Sequence, residues 1–415
     1  MHRTISGWRH RFAIACFSIL SAGNAHAAQP SPGRAAIVPP LSQIIALARA
    51  QAPDVVASGA EVDIARSTLV GARLPPIGNP YLEVLGRAPP SGPYARYSIE
   101  GTLWLPVEVS GQRSSRIAES NALVDFQRSR LAYVQALATA EAIRAYGLVT
   151  VEAERARLLE GLLEVARREA TSYEERYRAG DATLRDARLA ELELGRYGVM
   201  LEESRGALTQ GMTELERLTG HAFAAPPDAL DRPPPIDWIA TVDGAPVLAV
   251  SRAEASYYGR AKDRAKLEGA AGSLSLMLDA ARDELGGARV GAGVAYAFPM
   301  PRRNQGEQAR ADAERARALT EARLNHRVLG TRVRGLTEEL SRVQRALTVL
   351  GSEAEPAAVS AVQAAEDMQR AGKSDLFPVL TSRRDLGLLR LRRLDLVMRE
   401  WTIVSELAAM TGRRT

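Results

Sequence analysis

Residues 95–106 read Ala-Arg-Tyr-Ser-Ile-Glu-Gly-Thr-Leu-Trp-Leu-Pro, and this stretch decides the fold class. Ala95, Tyr97, Ile99, Leu103 and Leu105 fall on one face of an extended chain, and Arg96, Ser98, Glu100 and Thr102 on the other. Such alternation marks a strand with one apolar and one polar face. Just upstream, Leu82 and Val84 alternate with Tyr81 and Glu83, and the turn-forming run Pro89-Pro90-Ser91-Gly92-Pro93 separates the two segments. The pattern predicts a β-hairpin with strands over about 79–87 and 94–105.

The same arrangement returns later in the chain. Leu274, Leu276 and Leu278 alternate with Ser273, Ser275 and Asp279, and after residues 283–287 Val290, Ala292, Val294, Tyr296 and Phe298 do the same. This predicts a second hairpin with strands over about 273–281 and 288–298. Pro106 and Pro299, which close the two hairpins, are 193 residues apart, and so are Pro53 and Pro246. Arg178-Ala179-Gly180 and Arg370-Ala371-Gly372 are 192 apart, as are Leu218-Thr219-Gly220 and Met410-Thr411-Gly412. Ordered landmarks at nearly one spacing indicate a tandem duplication. The expected organisation is a first repeat over 28–220, a Pro-rich linker over 221–245 and a second repeat over 246–415.

Each hairpin is preceded by a short helical pattern, 41–74 in the first repeat, and followed by a very long one, about 113–178 and 306–370. In the second, Leu329, Leu336, Val343 and Leu350 fall seven apart, with Val333, Leu340 and Leu347 at the other seam position. That is a heptad pattern of the coiled-coil type. Some 65 residues of helix span roughly 100 Å, far more than a compact globule uses. Breaks at Ala179-Gly180-Asp181 and Ala371-Gly372-Lys373 let the chain reverse, and shorter helices return over about 183–218 and 375–411. Two short helices placed end to end match one long helix and can cover its seam.

The ends and the composition narrow the compartment. Arg3, Arg9 and Arg11, the apolar run 12–22 and Ala25-His26-Ala27 read as a secretory signal over 1–27. Its removal takes away Cys16, the single cysteine, so no disulfide and no thiolate ligand is expected. The 54 Lys and Arg fall by three to 51, against 49 Asp and Glu, and the Arg residues interleave with Glu along the helices. That mixing describes a solvated, ion-paired helix surface and argues against nucleic acid as a partner. No run of about 20 uninterrupted apolar residues is present, as a membrane-spanning helix needs.

The strands nevertheless have the length that crosses a bilayer when tilted. Four strands cannot close a barrel alone, and open edges cannot face lipid. Association of three copies gives twelve strands, with the apolar face toward lipid and Arg96, Glu100 and Asp279 toward the lumen. Tyr81, Tyr94, Trp104, Tyr296 and Phe298 near strand ends are expected at the interfaces. A small soluble sheet packed on helices explains the alternation equally well.

Several stretches resemble the TolC family of outer-membrane efflux ducts, in its heavy-metal (CzcC-like) branch. Phe298-Pro299-Met300-Pro301 followed by Arg303-Asn304-Gln305-Gly306-Glu307 is similar to the second-repeat stretch of that branch, about two residues shorter before Asn304. Trp104-Leu105-Pro106-Val107-Glu108 with Gly111-Gln112-Arg113 is similar to its first-repeat counterpart. The tips, Tyr177 to Asp181 and Gln369 to Lys373, look like the family's periplasmic tips. The resemblance implies a mainly helical fold with a small β part: a trimeric α-helical barrel in the periplasm continued by a 12-stranded barrel, four strands per chain. It implies a homotrimeric exit duct partnered by a periplasmic adaptor and an inner-membrane resistance–nodulation–division transporter. Adaptor docking would fall on Ala179, Gly180, Asp181, Ala371, Gly372 and Lys373. The carboxylate ring beyond the second tip is not matched, since Pro378 and Thr381 stand there; Asp181 and Asp186 of the first tip are the expected substitutes.

Catalysis and cofactor binding have no motif to rest on. Beyond the signal only His221 and His326 remain as histidines, and Met277, Met300 and Met368 are scattered, so no soft-metal site is expected. A cargo of metal ions would be conducted and not chelated. Two other readings stand beside the duct for metal or drug efflux: the duct of a type I protein-secretion system, and a soluble periplasmic coiled-coil scaffold.

Overall fold

The computed structural model describes residues 36–75, 78–87, 97–108, 110–233, 242–282, 287–373 and 376–412. The signal sequence, Tyr94 and Arg96 lie outside the described residues. Helices carry most of the chain: α1 (Leu41–Gln51), α2 (Pro53–Arg73), α3 (Gln112–Ala179), α4 (Leu184–Thr219), α5 (Pro246–Ala271), α6 (Gln305–Val349), α7 (Glu355–Arg370) and α8 (Leu376–Thr411). The segment read as one helix over 41–74 is two, because Pro53 cannot donate and the residue before a proline is driven out of the α region. Ala52 accordingly has φ −55° and ψ 136°.

A short parallel pair joins β1 (Ala36–Ile37) to β4 (Phe223–Ala225). The main sheet is antiparallel, in the order β2 (Tyr81–Arg87), β3 (Ser98–Val107), β5 (Ser273–Arg282), β6 (Ala288–Ala297). The hairpins β2–β3 and β5–β6 are joined side by side through β3 and β5, leaving β2 and β6 as open edges. The helices repeat this order. In the half next to the sheet α2, α3, α5 and α6 follow one another, and in the far half α4, α3, α8 and α7. Since α3 is 68 residues long, it spans both halves, at about 100 Å.

Where the halves meet lies the main core. Ile143, Tyr146 and Val149 of α3, Leu215 and Leu218 of α4, and Leu340 and Leu347 of α6 close around Trp401 and Leu407 of α8. The Trp401 indole donates to the Asp231 carbonyl at 3.3 Å, and the Tyr146 hydroxyl donates to the Asp231 carboxylate at 2.6 Å. Arg232 closes a two-pronged ion pair on the buried Glu400 carboxylate. The segment after β4 is thereby strapped across the bundle. Gly147 makes room for the ring: a Cβ there would stand 2.5 Å from Trp401 Cγ.

The second long helix departs from expectation. It is α-helical to Val349, takes one π-helical turn over Leu350–Ala354, and resumes as α7. Pro356 supplies the reason, because its ring would strike the carbonyl four residues back in a regular helix.

Sheet faces, corners and tips as the candidate functional site

Strand register sorts the sheet into two chemistries. Leu82 pairs with Leu103, Leu103 with Leu278 and Leu278 with Ala292, which sets one apolar row across all four strands. Rows above and below it hold Val84, Ile99, Leu105, Leu276, Val290 and Val294 on the same face. This face is exposed, Val290 by 86% and Leu82 by 65%. The opposite face carries the charged, polar and small residues, together with Leu85, Met277, Tyr81 and Trp104. Glu83 pairs with Thr102, Thr102 with Asp279 and Asp279 with Gly291. Glu100 shares that face and lies 3.9 Å from Arg87 and 3.7 Å from Arg289. Gly291 and Gly293 are strand residues there: a Cβ would stand 2.3 Å from Asp279 Oδ1 at the first and 2.8 Å from Met277 Cε at the second.

One expectation about aromatics is corrected. Tyr81 and Trp104 stack with ring centroids 5.8 Å apart, and their register places them on the polar face with Thr102 and Asp279. Tyr296, which pairs with Leu274, belongs to the apolar face, and the Phe298 ring packs on it edge-on at 4.7 Å. Parity along a strand outweighs nearness to its end.

The stretches that carry the family resemblance are strand-to-helix corners. In the first, Pro106 still pairs with Ser275 in the sheet, and Gly111 with φ 77° opens α3 by accepting from the Ser115 amide. Glu108 pairs with Arg116 at 2.5 Å, and Arg116 also donates to the Leu74 carbonyl at 3.2 Å. The end of α2, the exit of β3 and the start of α3 are tied together. Arg113 is an exposed residue of that first turn.

The second corner follows Pro299. Arg303 donates to the Pro299 carbonyl at 3.1 Å, and Gln305 receives the Arg303 amide while donating to the Pro301 carbonyl, both at 2.9 Å. Asn304 adopts φ 57°, the single positive φ outside glycine among the described residues, and donates to the Ala265 carbonyl at 3.3 Å. Asn is one of the few residues that tolerate this conformation. Glu307 approaches Arg264 at 4.0 Å. Gly306 meets nothing within 4 Å, and the structure gives no physical account of a glycine there. Sequence reading missed Gly269, where a Cβ would fall 2.2 Å from the Arg303 carbonyl oxygen, so only glycine lets the corner rest on α5.

Both tips are built alike. Gly180 has φ 82°; its amide bonds the Tyr177 carbonyl and the Asp181 amide bonds the Arg176 carbonyl. Gly372 has φ 69°, with the Gly372 amide on Gln369 and the Lys373 amide on Met368. These are two copies of one helix-terminating motif, which needs a left-handed residue after the last helical turn. Ala179 and Ala371 each precede that glycine. Asp181 is exposed, whereas Asp186 accepts from both the amide and the hydroxyl of Thr183 as half of a capping box. The Asp186 carboxylate is therefore committed to the start of α4.

Between the two arms, Arg383 of α8 pairs with Glu169 of α3 and, at 2.8 Å, with Glu366 of α7. Burial outweighs the guanidinium and holds the Glu169 carboxyl above its usual range. No local spacing announces this junction, since Glu169 and Arg383 are 214 residues apart. Among the described residues no group of three or more His, Cys, Asp or Glu side chains gathers where it could hold a metal ion, and no helix is long and apolar enough to cross a membrane.

No protein-family model matches the chain. Over 322 residues it is 27% identical to the cobalt-zinc-cadmium resistance protein CzcC of Cupriavidus metallidurans, covering 74% of this chain and 76% of that protein. A membrane protein of Pseudomonas aeruginosa matches with a TM-score of 0.74 at 14% identity, over 93% of this chain and 98% of that one. The CmeC outer membrane channel of Campylobacter jejuni matches with a TM-score of 0.72 at 13% identity, over 90% of this chain and 85% of that one. The chain is a homologue of CzcC with the fold of the TolC-type outer membrane channels.

Proposed function

We propose that the chain is one subunit of an outer-membrane efflux duct, closed by three copies into a 12-stranded barrel continued by a helical tunnel. The observation that carries this is the matched pair of open flanks. At the sheet, in the near helices and in the far helices, one flank belongs to the first repeat (β2, α2, α4) and the other to the second (β6, α6, α7). A strip with two different flanks associates head to tail and closes into a ring when the rotation allows. Exposed apolar side chains stand on these flanking helices: Val56 and Ile64 on α2, Leu192 and Val199 on α4, Leu324 and Val328 on α6.

In the ring, the apolar sheet face meets lipid and Glu100 and Asp279 face the lumen. The duct conducts passively, and its tips at Gly180 and Gly372 receive a periplasmic adaptor that links it to an inner-membrane resistance–nodulation–division transporter. The relative's name makes metal cations the cargo to test first. Cysteines placed along β2 and β6 of the membrane-extracted protein should form disulfides only between copies, in a ladder that stops at three. A water-soluble monomer, or disulfides confined to one chain, would overturn the ring. The cargo is tested separately: loss of the gene should raise cellular zinc, cobalt or cadmium, and unchanged levels of all three would remove metal efflux.

A further inference from the structure

Basic charge gathers at one level of the molecule, where the helices meet the sheet. Within about two helical turns of the strands, over 65–75, 106–120, 264–272 and 298–312, nine Lys and Arg stand against five Asp and Glu. That surplus exceeds the one expected for the whole chain beyond the signal, 51 against 49, so the remainder is slightly acidic. The acids at this level already have partners. Glu108 is held by Arg116, Asp312 by Lys262, and Glu119, Glu268 and Glu307 all gather on Arg264. Six cations stay exposed with no ion-pair partner among the described residues. They are Arg73 at the end of α2, Arg113 at the start of α3, Lys266 on α5, and Arg302, Arg303 and Arg310 at the second corner.

These cations alternate with exposed apolar side chains. Leu74, 60% exposed, follows Arg73, and Leu267 follows Lys266; Phe298 and Met300, each 75% exposed, lead into Arg302. The row continues the apolar sheet face, because the Phe298 ring packs on Tyr296, which pairs with Leu274 there. Closing the ring leaves the charge in place. The flank that would come to Arg302 and Arg310 is the end of α2, whose last two turns carry Arg66 and Arg73 and no acid. Large apolar and basic side chains side by side suit a membrane boundary, where the first enter the acyl region and the second stay among the phosphates. A water-filled lumen gives an exposed Phe298, Met300 or Leu74 no such contact.

We propose that this basic collar binds the phosphate headgroups of anionic phospholipids in the leaflet on the helical side of the sheet. The proposal rests on the barrel reading above and adds a lipid preference that an apolar belt alone does not give. One Lys or Arg at such a boundary favours an anionic over a zwitterionic headgroup on the order of fivefold. The cations remain in contact with water, so salt weakens the preference.

The test uses the full-length protein folded into phosphatidylcholine vesicles, with trimer formation read on an unboiled gel. Spin-labelled phosphatidylglycerol and phosphatidylcholine of one chain length are then compared for immobilisation by the protein. The native trimer should favour phosphatidylglycerol several-fold, and less so in high salt. Arg73→Gln, Lys266→Gln and Arg302→Gln together should bring the two lipids near equality. Arg302→Gln alone, which breaks no hydrogen bond or ion pair among the described residues, should lower the preference part-way. Arg334, Arg342 and Arg345 are also exposed and without ion pairs, but they lie roughly 40 Å or more along α6 from the corner. Changing those three to Gln removes the same charge and should leave the preference intact. Equal association of both lipids with the native trimer, a preference that survives the collar variants, or the same loss in the α6 control would overturn the collar and leave the barrel standing. A native chain that forms no trimer in any vesicle would overturn the barrel, and the collar with it.

Discussion

Leu103→Arg tests the assignment of the sheet faces most directly, because its neighbour supplies the control. Strand β3 has ten residues, which at about 3.4 Å each gives roughly 34 Å, or about 26 Å along the membrane normal at a tilt near 40°. That matches an apolar band of about 25 Å, and Leu103, sixth of the ten, falls near its middle. Its row partners are Leu82 and Leu278. A guanidinium at that depth costs about 2–4 kcal/mol per chain, hence about 6–12 kcal/mol for a ring of three copies. Thr102→Arg, one residue away on the opposite face, meets water and should cost little. The assay is the fraction of heat-labile trimer formed on folding into lipid vesicles, resolved by unboiled gel electrophoresis. Leu103→Arg should abolish the trimer band while Thr102→Arg keeps it. Equal loss in both, or loss only in Thr102→Arg, would refute the face assignment and the barrel that depends on it.

Other expectations follow from particular contacts. Gly147→Ala drives a methyl group into the fully buried Trp401 ring and should cost about 1–3 kcal/mol, read as a lowered Tm of the helical transition. Asn304→Gly keeps the left-handed corner but loses the bond to the Ala265 carbonyl and should cost about 0.5–1.5 kcal/mol, whereas Asn304→Val loses that bond and also forces a β-branched residue to positive φ, which should add about 1–2 kcal/mol on the same measurement. Glu169 has its folded-state pKa raised, so the folded protein binds that proton more tightly than the unfolded chain does. Its contribution to stability is then adverse at neutral pH and fades as pH falls through the folded pKa toward 4.5. Glu169→Gln removes this slope: the Tm advantage of the variant at pH 7 should shrink on acidification, and a constant difference would contradict the assignment. Gly180→Val and Gly372→Val force a β-branched residue to positive φ at the tips; cross-linking to an adaptor should fall more than trimer yield.

How much of this was legible in the sequence depends on the range of each signal. Strand parity and heptad spacing are local periods, so the hairpins at Ile99 and Val294 and the seam from Leu329 to Leu350 could be read from the chain alone. The misplacement of Tyr81 and Trp104 came from weighing their nearness to strand ends over their parity, which already put Trp104 with Glu100 and Thr102. The π turn at Leu350–Ala354 was hidden for another reason. The alanine-rich run after Pro356 fits more than one heptad frame, so the period itself gave no sign of a break. Glycines that admit a neighbour, such as Gly147 beneath Trp401 and Gly269 beneath Arg303, depend on contacts 254 and 34 residues away, and no linear spacing encodes them. The same holds for Arg383 between Glu169 and Glu366, the ion pairs that tie the two arms.

The repeated element order and the open flanks have one physical origin. Inside the chain, the second strand of one hairpin already pairs with the first strand of the other, as β3 with β5. The long helix of the first repeat packs on the short helix that precedes the second hairpin, α3 on α5, and on the helix that returns from the second tip, α3 on α8. Each of these contacts joins the trailing flank of one repeat to the leading flank of the next. The exposed flanks ask for the same three contacts again: β6 with β2, α6 with α2, and α7 with α4 of a neighbouring copy. A ring of three chains is then a ring of six similar units, in which alternate junctions are covalently linked and the rest form on association. On this argument a substitution that weakens an in-chain junction should have a counterpart of similar effect between chains. Charge placed on the α5 surface that meets α3 and charge placed at Val56 or Ile64 on α2 should reduce trimer yield to a similar degree. An effect of the first kind alone would mean that the α2 flank is not an interface.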